Sequence, residues 1–393
     1  MNEERLRRIQ EALRAEKLDA WFLADFKGTD PIALHVLGLL GRPMVTRRWF
    51  YLIPAQGEPM KICHRIEPHS LDSLPGGLSL YGRWQEWQEG LKGALHGCKR
   101  VACQYFPSGI VPALGRLDAG LAEFIRTTGV ELVSSGDLVA QFDVTLTPEQ
   151  EAGHYRAMEV LLDTVQVAFK KAQKVVAGSG LLTEHALQLE MMVHMKKANL
   201  VTNAPPIVAV GPHAADPHYE PMPLTSSAIR PDELLLLDLW AKETGDDSVY
   251  ADITWCAWTG TKVPADVLEI FKTVLAARDA GIAKALEVSK GPVCGWEVDR
   301  ATRDVIEKAG CGQYFIHRTG HSIFTEDHAD GANMDDFETH DTRRLLPMTL
   351  FSIEPGIYFP GKYGIRSEVN ILVKEGAAAV TGLKQTELEA LLA

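Results

Sequence analysis

No apolar run in this chain is long enough to cross a bilayer; the run before Asp238, LLLL, is typical. No cysteine pair has C-x-x-C spacing, and the six cysteines are thinly spread, at positions 63, 98, 103, 256, 294 and 311. That distribution is unlike a disulfide scaffold or a zinc finger, and reduced, mostly buried thiols are expected. Excess positive charge is also missing. The net charge is −12, and basic residues come in short pairs such as Arg47-Arg48 and Arg343-Arg344. Nucleic-acid binding needs clustered cations to displace counterions, so a nucleic-acid partner is not expected. The first residues, MNEERLRRIQEAL, are amphipathic and charged, without the apolar core of a secretory signal. These absences predict a cytoplasmic protein with no membrane partner.

What is present is ordinary globular material: 393 residues, 46% hydrophobic and 23% charged. That length predicts two domains. Apolar positions Leu6, Ile9 and Leu13 predict a helix over 3–16, followed by a strand in LDAWFLAD. RRWFYLIPAQGEPMKICHRI reads as two strands about a glycine-containing turn, and KRVACQYF and VELVSS as further strands. Residues 1–146 are therefore expected to form a small α/β domain. Thr147, Pro148 and Gln150 make a helix start with a capping box, and a long apolar-periodic stretch follows. Further helices are expected over 181–200, 264–287 and 295–309, with strands between them, so 147–393 reads as an α+β domain.

Two segments of that domain echo each other. LLLLDLWAKETGDDSVYADITW holds Asp238 and Asp252, and MTLFSIEPGIYFPGKYGIRSEVNIL holds Glu354 and Glu368; in each the acids are fourteen residues apart. Each segment reads as an antiparallel hairpin that brings its two acids across from one another. A buried carboxylate is costly unless it is paired or binds a metal. Four in one pocket would raise each other's pKa values sharply without cations, and two divalent ions would balance them. Three histidines, His317, His321 and His328, fall within HRTGHSIFTEDH, in a stretch rich in Gly, Ser and Thr; a second cluster, VGPHAADPHYEP, carries His213 and His218. Oxygen ligands with one imidazole and no thiolate suit Mn²⁺, Co²⁺, Fe²⁺ or Zn²⁺ better than copper.

The order Asp238, Asp252, His321, Glu354, Glu368, in the contexts DLW…YADITW, GHSIFTEDH, SIEPGIY and GIRSEVNILV, resembles the pita-bread metallopeptidases: methionine aminopeptidase, aminopeptidase P and prolidase. The resemblance spans about 150–390, and implies a pita-bread catalytic domain over 147–393 behind a creatinase-like α/β domain over 1–146. It implies two divalent metal ions (Mn²⁺, Co²⁺ or Zn²⁺) held by those five residues, with Glu354 also exchanging a proton with the attacking water. It assigns His218 and His328 to the peptide near the scissile bond, His317 to the proline side of the pocket, and Arg366 to orienting the acidic ligands. The implied reaction is hydrolysis of Xaa-Pro bonds, in dipeptides or, as an alternative, at the start of longer peptides. Metal-free relatives, binding modules or creatinase-like hydrolases, should lack several of the five ligands. Small peptides and a second copy of the chain are the implied partners. A dipeptidase must capture a free carboxylate, and Arg343 or Arg344, shortly before the Glu354 strand, is the expected captor. The sequence departs from the family pattern around the ligands: GHSIF stands for G-H-G-x-G, DITWC for D-I-T-R-T, and ADGANMDD follows His328.

Overall fold

The computed structural model describes residues 1–393 apart from Met44 and Ser179. Internal contacts divide the chain into two compact units, Met1–Asp143 and Val144–Ala393. Among the described residues no helix is long and apolar enough to cross a membrane. All six cysteines are free; Cys63, Cys103 and Cys256 are buried, whereas Cys98, Cys294 and Cys311 are partly exposed, so only half meet the expectation of burial.

The first unit is built on one sheet of strands β1 (Ala20–Asp25), β2 (Trp49–Pro54), β3 (Met60–His64), β4 (Gly77–Tyr81), β5 (Arg100–Cys103) and β6 (Glu131–Ser134). Their spatial order is β4-β3-β2-β1-β5-β6. Strands β1, β5 and β6 run parallel, β2 is antiparallel to both β1 and β3, and β4 is parallel to β3. Helices α1 (Glu3–Ala15), α2 (Pro31–Val36), α3 (Trp84–Ala94), α4 (Ala119–Arg126) and α5 (Gly136–Asp143) complete the unit. Side chains alternate across a strand. Trp21 and Leu23 of β1 therefore join a core with Leu13 and Val139, while Ala20 and Phe22 join another with Leu91 and Ile125. Both faces are covered, and for that reason β1 reads as a continuous apolar run.

The second unit begins with α6 (Pro148–Ala177). Its Thr147 cap and Gln150 make the reciprocal bonds of a capping box, with Pro148 in the first turn. Next come α7 (Glu184–Lys197), β7 (Leu200–Val201), β8 (Ile207–Val210), β9 (Leu234–Glu243) and β10 (Ala251–Trp258). Helices α8 (Ala265–Ala285) and α9 (Gly295–Lys308) follow. The remaining strands are β11 (Ser322–Ile323), β12 (Leu350–Ile353), β13 (Gly356–Phe359), β14 (Tyr363–Arg366), β15 (Val369–Lys374), β16 (Ala377–Val380) and β17 (Glu389–Ala390). One sheet centres on β9, which pairs with β7, β8 and β10; β17 borders β10. The other has the order β11-β12-β15-β16, and β13 pairs with β14 separately.

Strand β9 explains how a run of leucines can present a carboxylate. Leu235, Leu237 and Leu239 pack with Leu161, Val165 and Leu187 of α6 and α7. Leu234 and Leu236 belong to a core with Phe271 and Val274 of α8 and Ile357 and Ile365 of the β13–β14 pair. Period-two alternation puts Asp238 on this second face.

His154 is fully buried in α6. Its Nδ1–H donates to the Tyr250 carbonyl (2.8 Å) and its Nε2 accepts from Thr381 Oγ1 (2.7 Å), an arrangement that needs the neutral ring. Burial pushes its pKa down to about 4. The unfolded chain then takes up the proton first, near pH 6.5, so this contribution to stability is complete above pH 6.5 and is lost as pH falls through about 4. Urea unfolding at pH 7 and pH 4.5 should show roughly 2–3 kcal/mol of acid-dependent loss that is absent from His154→Leu. An equal acid dependence in the two proteins would exclude His154 as its source.

Candidate metal centre

Asp238 and Asp252 come from the paired strands β9 and β10. They are not directly opposite, as the hairpin reading anticipated: Asp238 faces Thr254 and Asp252 faces Trp240. The two acids are diagonal neighbours on one face, with Thr254 beside both. Glu354 and Glu368 are placed differently. Ile353 pairs with Val369 and Gly356 with Arg366, so a single register runs through both ladders, and the two glutamates face each other at the break between them. Neither lies within a strand. The main chains join there as well: the Glu368 amide donates to the Thr254 carbonyl, and the Asp252 amide to Asn370 Oδ1.

His321 arrives on the segment before β11. A Cβ on Gly320 would sit 2.0 Å from the Ser352 carbonyl oxygen, so only glycine lets this segment lie against β12. The His321 amide donates to Ser352 Oγ, which donates on to Glu354 Oε1. Beneath the segment, Arg303 of α9 donates to the Phe315 and His317 carbonyls, and Asp299 accepts from the Thr319 amide and hydroxyl.

All five side chains line one cavity of about 690 Å³, together with Arg366, His218, His317 and His328. Asp252, His321 and Glu368 offer ligand atoms within 4.8 Å of one another. Three observations fit a cation there. Asp252 Oδ1 and Glu368 Oε1 are buried and have no hydrogen-bond partner among the described residues. Burial first, then the charge of neighbouring acids (Asp238 and Glu354 for Asp252; Asp252 and Glu354 for Glu368), drives the Asp252 and Glu368 carboxyls far above their usual range; burial also raises Glu354. His321, whose pKa burial lowers to about 4, gives its Nδ1–H to the Ser322 carbonyl. Its Nε2 lone pair then points at Glu354 Oε1 (3.3 Å) and Asp252 Oδ2 (3.7 Å). Lone pairs converging on one point suit a metal ion held between them, and a carbonyl on the far nitrogen is the usual partner of a ligating imidazole.

Arg366, at the end of β14, braces the acids. It donates to Asp238 through Nη2, to Thr254 Oγ1 through Nε (3.0 Å) and to the Tyr358 hydroxyl through Nη1 (3.1 Å). Thr254 in turn donates to Glu368 Oε2 (2.8 Å), and Tyr358 donates to His317 Nε2 (2.8 Å). His317 is thus fixed as the neutral ring, with its pKa pushed to about 3 by burial and then by Arg366. His328 stacks on His321 at 3.8 Å between ring centres, and His218 stands exposed at the rim.

Residues 155–375 match the profile of metallopeptidase family M24. The chain belongs to this family. The M24 match lies wholly within the second unit, which contains all five acid and imidazole positions. An Xaa-Pro dipeptidase of Lactobacillus helveticus is 33% identical over 207 residues, 51% of each chain, so this M24 protein spans about half the length of such relatives. Dipeptidase PepE of Mycobacterium ulcerans shares its fold, with a TM-score of 0.66, 23% identity and coverage of 99% of this chain and 97% of that one. The X-prolyl aminopeptidase of Caenorhabditis elegans, described as a cytosolic enzyme with a di-nuclear active site, has a TM-score of 0.62 at 20% identity, covering 94% of this chain and 58% of its own. The pita-bread α+β architecture expected from the sequence is the one found.

The expectation for Arg343 is corrected. Arg343 does not line the cavity of this M24 protein. It is buried, and its guanidinium bonds Asp341 through Nε and Nη2 and the Asp330 carbonyl through Nη1, so each of its nitrogens is turned to a partner away from the cavity. His213 also turns elsewhere, to Glu184 (3.0 Å). Sequence reading passed over Glu184 itself. Fully buried at the start of α7, its carboxylate gathers the amides of Val210 and Ser227, the Tyr219 hydroxyl and His213, and so anchors the segment that carries His218. A carboxylate in a first helical turn is so common that nothing local distinguishes this one.

Proposed function

We propose that this protein is a peptidase that hydrolyses Xaa-Pro dipeptides with two divalent ions held by Asp238, Asp252, His321, Glu354 and Glu368. The observation that carries the reading is the convergence of the His321 lone pair and the unpartnered Asp252 and Glu368 oxygens inside one cavity. Four carboxylates match the charge of two divalent ions, and oxygen donors with one imidazole suit Mn²⁺, Co²⁺ or Zn²⁺. The dinuclear site named for the nematode enzyme and the activity of the Lactobacillus relative support the same reading. Bound divalent ions supply positive charge that polarises a carbonyl and makes water nucleophilic at neutral pH.

The chain's own groups do the rest. Glu354, whose carboxyl burial raises, takes up the proton of the attacking water and holds it between the two halves of the reaction. His328 is neutral, its pKa lowered to about 4 because the stacked His321 ring and burial both oppose a positive charge there. Its Nδ1 faces Arg318 Nη2 at 3.4 Å, so its proton resides on Nε2, a donor for the substrate carbonyl oxygen. A tertiary amide leaves badly as an anion, and His218 at the rim is placed to hand a proton to the proline nitrogen. The cytoplasm is the compartment proposed, in keeping with six free cysteines.

A small panel tests this reading: Ala-Pro, Leu-Pro, Met-Pro, Ala-Pro-Ala and Met-Ala-Ser, each assayed with Mn²⁺, Co²⁺ and Zn²⁺. Cleavage of the Xaa-Pro dipeptides above the tripeptides is expected. Preference for Ala-Pro-Ala would make the protein an aminopeptidase, and cleavage of none with any ion would refute the proposal.

A further inference from the structure

The first unit lies outside the M24 match and holds a cavity of its own, of about 210 Å³. Strands β1 and β5 are parallel neighbours, and the cavity is lined by residues at or just beyond their carboxyl ends: Ala24 and Asp25 after one, Cys103 and Gln104 after the other. The helices that follow cover opposite faces of the sheet. Ile32, Ala33 and Val36 of α2 pack with Trp21 and Leu23, whereas Leu121 and Ile125 of α4 pack with Phe22. In α/β sheets, a crevice at the carboxyl ends of adjacent parallel strands, where the chain turns to opposite faces, is where small ligands bind.

Charges of both signs are brought to this crevice without being joined. Asp25 accepts the amides of Gly28 and Asp30, and the Gln104 carbonyl accepts those of Arg116 and Leu117, so both connecting segments are fixed. Asp30 is buried; its Oδ1 accepts from the Ala33 amide (2.9 Å), and its Oδ2 makes no hydrogen bond among the described residues. Burial, and then the charge of Asp25, push its carboxyl up to about 7. The exposed Arg116 favours the ionised form of Asp30, yet among the described residues its guanidinium has no ion pair or hydrogen bond. Arg48, the other arginine of the lining, is held by Asp118 (3.2 Å). Gln104 gives an independent sign of a ligand. It is buried, and its Oε1 accepts from Trp21 Nε1 (3.4 Å). An indole only donates, so this bond fixes which end of the amide is oxygen. The NH₂ end has no partner among the described residues, and a buried donor in a cavity wall calls for an acceptor.

We infer that this cavity binds a free α-amino acid with a small apolar side chain, its carboxylate taken by Arg116 and the Gln104 amide, its ammonium by Asp30, and its side chain by Phe22 and Leu121. A zwitterion suits a cation and an anion that share a space but not a bond; a simple anion or a simple cation leaves one of them unmet. Phe22 and Leu121 are buried and apolar. At about 30 Å³ per water the space equals roughly seven waters, the scale of one small amino acid rather than of a peptide or a nucleotide. The inference is independent of the peptidase reading, since none of these residues lines the catalytic cavity.

The test is calorimetric titration of the full-length protein with L-valine, with isovalerate, which lacks the ammonium, and with isobutylamine, which lacks the carboxylate. Valine should bind at least about 10-fold more tightly than either. R116A, a change at an exposed side chain, should weaken valine by roughly 10- to 100-fold, and R116K by less. Q104E keeps the acceptor for Trp21 but replaces the unpartnered donor by an oxygen, and should weaken valine at least as much as R116A does. Hydrogen exchange read by mass spectrometry separates this site from the catalytic cavity: valine should slow exchange over 24–33 and 103–121 in the wild type and not in R116A. Absence of binding at millimolar valine overturns the inference. So does isovalerate binding as tightly as valine, an affinity for valine unchanged in R116A, or protection confined to segments of the second unit.

Discussion

Asp252→Asn is expected to abolish turnover, by about 10³-fold or more, while making the metal-free protein harder to melt. The two effects have one cause. Asp252 is buried, its Oδ1 has no partner among the described residues, and its charge adds to those of Asp238, Glu354 and Glu368. Without cations that charge is a liability, and an amide of the same shape removes it; relief of about 1–3 kcal/mol is the scale for a buried polar group freed of an unmet demand. With cations the same charge is what holds them. Melting curves with and without Mn²⁺ should therefore cross over: the variant is more stable than wild type without the ion and less stable with it. Elemental analysis should find the variant short of metal. A variant that is less stable in both conditions would mean that Asp252 serves packing rather than ligation, and near-normal turnover would remove it from the site.

Arg366→Met should act in the opposite sense on the metal-free protein. Among the described residues the guanidinium is the one positive charge bonded to this group of acids, and it ties Asp238, Thr254, Tyr358 and the Pro217 carbonyl together. Removing one member of a buried ion pair costs about 3–5 kcal/mol, because the other charge stays behind. For a unit of this size that corresponds to a fall of roughly 10 °C in Tm. Turnover should drop by about 10- to 100-fold, the usual effect of losing a group that orients ligands. Added Mn²⁺ should restore part of the lost stability, since ions supply positive charge to the same acids. No destabilisation, or a loss that Mn²⁺ leaves untouched, would show that Arg366 does not balance the cage.

The five metal-binding candidates could be read from the sequence because acids inside apolar runs conflict with burial, and a conflict of that kind points to chemistry. Helix starts were equally legible: Thr147, Pro148 and Gln150 carry their geometry in their side chains. Register was not. Period-two alternation reports which face a residue occupies, but not which residue lies opposite, so the diagonal offset of Asp238 and Asp252 was hidden, as was the break that sets Glu354 and Glu368 outside the strands. The β13–β14 pair sits inside what looked like a single turn. Strand β4 escaped because GLSLY is short and mostly exposed: its leucines, Leu78 and Leu80, face outward and only Tyr81 is buried. Arg343 misled by its nearness to Glu354 along the chain; its partner Asp341, two residues away, had already claimed it.

Glu184 shows how the segment that carries His218 can be suspended from a distance. Its one carboxylate receives donors from positions 210, 213, 219 and 227, so the intervening ribbon is gathered like a drawstring bag at a single knot. Glu184 does not itself line the cavity that holds the metal-binding candidates, so the placing of its rim, His218 included, depends on a buried group remote from them.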